Sequence, residues 1–215
     1  MRREKKKYIR VILFIIFCLG LFHLGIAQED NSINLSGEWS VSLEHYSGDE
    51  GSLEDIKKKQ GKIDLPGTLA EHGFGIETTG ASKGVLTPTH KFIGTASYKK
   101  SIHIPKEWKN KKILLFLERV LWQSQVYIDG TPLSTQNALG TPHIHDLGKL
   151  PIGPHELEVR VNNDMIFNIG DKGHAYSEST QSIWNGLVGT IKLQSKDPSH
   201  IKKLTSIPNI DDDQL

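Results

Sequence analysis

The chemistry this chain could perform is concentrated in one loop, from Asp164 to Trp184 and on into Asn185-Gly186. There His174, Tyr176, Glu178, Thr180, Gln181, Trp184 and Asn185 follow one another, with Ser177 and Ser179 between them. These are the groups a sugar requires: aromatic faces for the apolar side of a pyranose ring, amides and hydroxyls for its own hydroxyls. A loop this long in a compact domain is usually functional or disordered. The same residues also fit a structural use, in which Tyr176 and Trp184 close the end of a core and the polar groups tie the loop down. Composition alone leaves both open.

Hydrolysis of a glycosidic bond would need two carboxylates facing it. Glu118, Asp129, Asp146, Glu156, Glu158, Asp164, Asp171 and Glu178 are available. Asp129 is committed to a turn, and Glu156 and Glu158 fall on the polar face of a strand. Glu178 stands alone before Trp184, which makes it a contact and not a mechanism, so no catalytic residue is assigned. His143 and His145 alternate as two rings on one face of a strand, a spacing that can bind zinc. No third or fourth ligand stands at a familiar spacing, so a structural or surface role is favoured and neither metal nor cofactor is expected. Ser179 and Ser182 lie close to His174, but a triad is defined in space and not along the chain. Nucleophile elbow, phosphate loop and HExxH are all absent.

The elements that must position these residues are strands. Trp39, Val41 and Leu43 alternate with polar residues, as do Tyr98, Ile102 and Ile104, then Val126 and Ile128, and Leu157, Val159 and Val161. Leu187, Gly189, Ile191 and Leu193 repeat the pattern, which argues for half-buried antiparallel strands. Ile113 to Leu117 is continuously apolar and predicts a strand covered on both faces. Pro66-Gly67, Asp129-Gly130, Thr141-Pro142 and Gly153-Pro154 punctuate the runs, and Asp129-Gly130 is a tight-hairpin signal. Only Ser52 to Lys59 suggests a short helix or a loop. The expectation is an all-β jelly-roll sandwich.

Residues 1–27 read as a leader: a basic start to Arg10, an apolar run, and Gly25-Ile26-Ala27 before Gln28. Export to the periplasm or the medium follows, with a retained membrane anchor as the alternative. Six of the 26 basic residues and one of the 25 acidic ones lie in that leader, so the remainder carries a net charge of −4. Nucleic acid is therefore a poor partner. Cys18, the one cysteine, also lies in the leader, so the domain must be held by a core without disulfides.

The motifs, taken in order, resemble the N-terminal sugar-binding domain of glycoside hydrolase family 2, a galactose-binding-like jelly roll. They are Leu35-Ser36-Gly37-Glu38-Trp39, Leu65-Pro66-Gly67-Thr68, Gly73-Phe74-Gly75 and Gly94-Thr95-Ala96-Ser97-Tyr98. Leu115-Phe116-Leu117-Glu118-Arg119, Val126-Tyr127-Ile128-Asp129-Gly130, Thr141-Pro142-His143 and Asp146-Leu147 follow. Val159-Arg160-Val161-Asn162-Asn163 and Thr180-Gln181 then lead to Trp184-Asn185-Gly186. Where this branch carries a tryptophan before the tyrosine, this chain has Ser97. The resemblance implies a linker at 28–34, the sandwich at 35–198 and the start of an immunoglobulin-like domain at 199–215. It also implies retaining hydrolysis of β-glycosides by two glutamates on a downstream barrel, in the same or a companion chain, so that 1–215 alone is inactive. Two alternatives stand beside it: a free-standing exported carbohydrate-binding protein, and a truncated remnant without function.

Overall fold

The computed structural model describes residues 31–49, 51–79, 88–170, 183–201 and 204–206. The expected leader lies outside them, as do His174, Tyr176, Glu178, Thr180 and Gln181 and most of 199–215. Among the described residues the regular elements are strands and three short 3₁₀ turns. In chain order the strands are β1 (Ser32–Asn34), β2 (Gly37–Tyr46), β3 (Gln60–Leu65), β4 (Gly67–Thr68), β5 (Ile76–Glu77), β6 (His90–Lys91) and β7 (Gly94–Ile104). They continue as β8 (Lys112–Arg119), β9 (Gln123–Ile128), β10 (Thr131–Gln136), β11 (His143–Gly148), β12 (Gly153–Asn162) and β13 (Gly186–Lys196).

One sheet runs β10-β9-β12-β7-β2-β3, the other β1-β13-β8-β11 with β4 also on β13, and β5 and β6 form a separate ribbon. Every pairing is antiparallel. The two larger sheets bury their facing sides against each other, which is the expected sandwich. Trp39, Val41, Ala96, Tyr98, Val126, Leu157, Val159 and Val161 come from one layer, Ile113, Leu115, Leu117, Ile191 and Leu193 from the other. Each large apolar side chain taken out of water contributes about 1.5–3 kcal/mol, and this core supplies the cohesion that no disulfide provides.

Local signals were legible at the turns. Asp129 and Gly130 both have positive φ, 50° and 76°, and close the two-residue β9–β10 hairpin. This is the I′ geometry whose twist matches the flanking strands. Ser52 to Lys59 contains only a 3₁₀ turn at Leu53–Asp55, capped reciprocally by Ser52 and Asp55. Two expectations need correction. The strand at Ile113 to Leu117 is covered on one face only, since Leu114 and Phe116 are half-buried on the outer side, where Lys192 lies over the Phe116 ring. The segment expected to be a linker ends in β1, whose Ser32–Asn34 pairs with Lys192 to Gln194. Edge pairing recruited residues whose own pattern carried no strand signal.

Candidate functional site

At one end of the sandwich, Val120, Leu121 and Trp122 cross from β8 to β9 and are buried. Leu121 and Trp122 form a small apolar cluster of their own, packed by Ile166, Ile183 and Trp184. Beside it opens a cleft of about 470 Å³, lined by Glu118 to Leu121, Leu139 to Pro142 and Trp184. Alternation along β8 turns Ile113, Leu115 and Leu117 into the core and puts Arg119 on that same side. Arg119 lies past the last core layer, so it is exposed at the lip, where, with the Thr190 N–H, its charge helps to hold the Glu118 carboxyl below the usual range. The opposite wall, 137–142, is anchored where Trp122 Nε1 donates to the Asn137 carbonyl (3.2 Å) and His143 Nε2 donates to that of Ala138 (2.8 Å).

Trp184 and Asn185 are neighbours with opposite uses. Trp184 is half-buried and lines the cleft. Asn185 is 2% exposed, and its amide is directed into the fold. Its Nδ2 donates to the carbonyls of Gly94 (3.1 Å) and Val161 (3.2 Å), while its Oδ1 accepts from the Tyr98 hydroxyl (2.8 Å). Burial holds the Tyr98 phenol far above its ordinary pKa, so it remains a donor. A second buried amide, Asn163, accepts from the Gly94 N–H (2.8 Å) and donates to the carbonyls of Phe92 (2.8 Å) and Trp184 (3.1 Å). These two asparagines join β7, β12 and β13 at the end of the sandwich and fix the backbone from which the indole projects. Gly94 and Gly186 permit the approach, since a Cβ would stand 2.0 Å from the His45 carbonyl oxygen and 2.3 Å from that of Gly67. Asn185 thus places the site without an atom free to touch an occupant.

Of the candidate carboxylates, Asp171 and Glu178 lie outside the described residues, and each of the others has a partner. Glu118 accepts from the Thr190 N–H (2.8 Å) and clamps the bulge in β13, and that contact holds its carboxyl below the usual range. Asp129 accepts from the Glu156 N–H (2.8 Å) and faces the His155 ring at 2.6 Å. Asp146 pairs with Lys112 (2.6 Å) and Glu156 with Lys99 (3.1 Å). Glu158, buried on the outer sheet face, binds Arg160 (2.5 Å), Ser97 (3.0 Å) and Lys99 (3.2 Å), while Asp164 accepts from Ser47. Ser97, the departure from the family pattern, therefore sits on that sheet face beside Glu158.

His143 and His145 are both fully buried on the inner face of β11. Ser124 Oγ lies 2.6 Å from His143 Nδ1 and 2.8 Å from His145 Nε2, and Ser134 Oγ lies 2.7 Å from His145 Nδ1. Burial, and then the proximity of His143, brings the His145 pKa from 6.5 down to about 4; burial lowers that of His143 too. Both rings are packed inside the sandwich. Among the described residues no group of three or more potential ligands gathers around a metal position.

Sequence reasoning did not single out Arg119, Leu121, Trp122 or the 139–142 turn as site residues. They reach Trp184 only because β13 pairs with β8, with Val188 opposite Arg119. No local pattern announces that pairing.

The chain matches no protein-family model. It is 31% identical over 129 residues to a β-glucuronidase of Formosa agariphila, a match covering 52% of this chain and 12% of that protein. Among solved structures, a β-glucuronidase of an uncultured Clostridium superposes with a TM-score of 0.53 at 16% identity, covering 78% of this chain and 29% of that one. A β-D-glucuronidase of Dictyoglomus thermophilum gives 0.51 at 17% identity, with 83% and 30% covered. A Ruminococcus gnavus β-glucuronidase in complex with an N1-substituted uronic isofagomine gives 0.52 at 17%, with 76% and 29% covered. The chain thus spans about an eighth of the curated relative's length and about three tenths of these structures. The sandwich is shared with them, and the resemblance to an N-terminal domain of glycoside hydrolase family 2 is borne out.

Proposed function

We propose that this sandwich is the sugar-binding module of an exported β-glycosidase, periplasmic or secreted, whose hydrolytic glutamates lie on another domain of the same or a companion chain. A β-glycoside sits in the cleft with its apolar ring face against Trp184. Arg119 and Thr141 meet its polar substituents, and the 174–181 segment that leads into Trp184 completes the contacts. The observation that carries this reading is the cleft itself: an indole held in place by two buried asparagines, with an exposed guanidinium in the same lining. A cap on a core would need neither the opening nor the cation. The similar proteins are β-glucuronidases, which makes β-glucuronides the first ligands to try.

The test is titration of the full chain with methyl β-glucuronide and methyl β-galactoside, followed by amide NMR. Saturable shifts at Arg119, Thr141 and Trp184 are expected, and Trp184→Ala should weaken binding about tenfold, the worth of one ring contact. An unchanged affinity in Trp184→Ala would remove the cleft from the reading. The mass of the native protein, detected with an antibody to this domain, separates the module from a free-standing lectin: a species several times larger supports the first. Binding to neither glycoside together with a small native mass would leave a remnant.

A further inference from the structure

The histidine–serine chain joins two sheet edges. β11 ends the five-stranded sheet and β10 ends the six-stranded one. Ser134 on β10 and Ser124 on β9 reach across to the two rings on β11. The proton order in this chain is fixed from one end. The Ala138 carbonyl can only accept, so His143 carries its proton on Nε2 and its Nδ1 accepts from Ser124. Ser124 Oγ then accepts from His145 Nε2–H, and His145 Nδ1 accepts from Ser134. Both rings are neutral, each nitrogen has one partner, and the last donor holds the 137–142 wall of the cleft.

An added proton finds no acceptor without reversing a serine hydroxyl. On His143 Nδ1 it would take the second lone pair of Ser124 Oγ and leave that hydroxyl's own proton without its acceptor. On His145 Nδ1 it would force the Ser134 hydroxyl to reverse. Among the described residues no carboxylate pairs with either ring. Across β8 the paired residues are Leu117 and Leu115, Val161 of β12 lies beside Ser124, and Asp146 is on the opposite face of β11, paired with Lys112. The described groups that face the two rings are uncharged, apart from the rings' effect on each other. Water must therefore reach the rings before they can hold a second proton. The least covered route is the exposed 137–142 turn, where Asn137 and Leu139 to Pro142 face solvent.

We infer that the Ser134–His145–Ser124–His143 chain is an acid-sensitive latch: it closes the β10–β11 edge while both rings are neutral and releases that edge, with the cleft wall, on protonation. The part concerning ligand control rests on the site proposed above; the opening itself does not. Below the range in which a free imidazole titrates, the edge samples an open state, the 139–142 wall leaves Trp184, and affinity in the cleft falls.

Hydrogen exchange of the full chain, without any ligand, tests the latch directly. A ring that titrates at about 4 when closed and at 6.5 when open favours opening about 30-fold at pH 5 over high pH. Protection factors, corrected for intrinsic rates, should fall by about that factor between pH 7.5 and 5 at Ile144, His145 and Asp146. They should hold at Tyr98 and Val159 in the β7–β12 centre. His145→Gln, which cannot titrate, should reduce the pH effect to the part that His143 supplies. Should that variant fail to fold, Ser134→Ala serves: without its contact to His145 Nδ1 the closed edge is weaker at every pH, so protection on β11 should already be reduced at pH 7.5. An equal loss of protection at Val159 would make the event global unfolding, and no loss at β11 would mean no opening; either result overturns the latch. Methyl β-glycoside binding at pH 7.5 is scored separately, so failure of the cleft reading leaves the exchange result intact.

Discussion

Asn185→Ala separates a buried tie from a ligand contact more cleanly than any other change. The substitution leaves the Tyr98 hydroxyl without its acceptor inside the core and removes one donor each from the carbonyls of Gly94 and Val161. A buried donor left unpaired costs about 1–3 kcal/mol, and each weakened carbonyl less. A total of about 3–5 kcal/mol is expected, a large part of the stability of a domain this size. Tyr98→Phe alone should cost about 1–2 kcal/mol, because Asn185 retains its other partners. In the double variant the orphaned hydroxyl is gone, so the sum should fall short of additivity by at least about 1 kcal/mol. Urea unfolding at pH 7.5, with slopes checked for constancy, measures all three. An Asn185→Ala domain within about 1 kcal/mol of the parent, or an additive cycle, would refute the reasoning. A domain of full stability that had lost only glycoside affinity would return Asn185 to the ligand.

Two further outcomes follow. Gly94→Ala should destabilise by at least about 2 kcal/mol, because a Cβ there meets the His45 carbonyl and φ is +139°. Gly148→Ala, equally left-handed at +69° but in open space, should cost about 1 kcal/mol; calorimetric melting of both separates crowding from strain. Burial works against the His155 cation, but the Asp129 carboxylate beside it prevails and raises its pKa, so their pairing stabilises the fold at low pH and is lost as pH rises through the folded value. Asp129→Asn should therefore bring the ring titration back down, seen by NMR, and should destabilise more at pH 6 than at pH 9.

Much of the architecture was readable from short-range pattern. Period-two alternation at Trp39, Val41 and Leu43, or at Leu157, Val159 and Val161, is a local consequence of pleating and predicts which side is buried. Asp129-Gly130 closed the hairpin it announced. The same logic gave too much cover to Ile113–Leu117, since an apolar run does not reveal whether long chains such as Lys192 supply the second face. The candidate site was legible only in part. Trp184 lines a cleft, one of the two uses that its place at the lip of a strand left open, while His174, Tyr176, Glu178, Thr180 and Gln181 lie outside the described residues.

Residue type therefore determined the strand pattern, the turns, the absence of a disulfide framework and the choice of an aromatic and an amide at positions 184 and 185. Which of those two faces solvent was decided by tertiary pairing alone. Asn185 meets partners 87 and 91 positions away in Tyr98 and Gly94, and β8 meets β13 across nearly half the domain. An amide can serve a sugar hydroxyl or a buried phenol with the same atoms. Only the packing of strands distant in sequence fixes which of them lies within hydrogen-bonding reach.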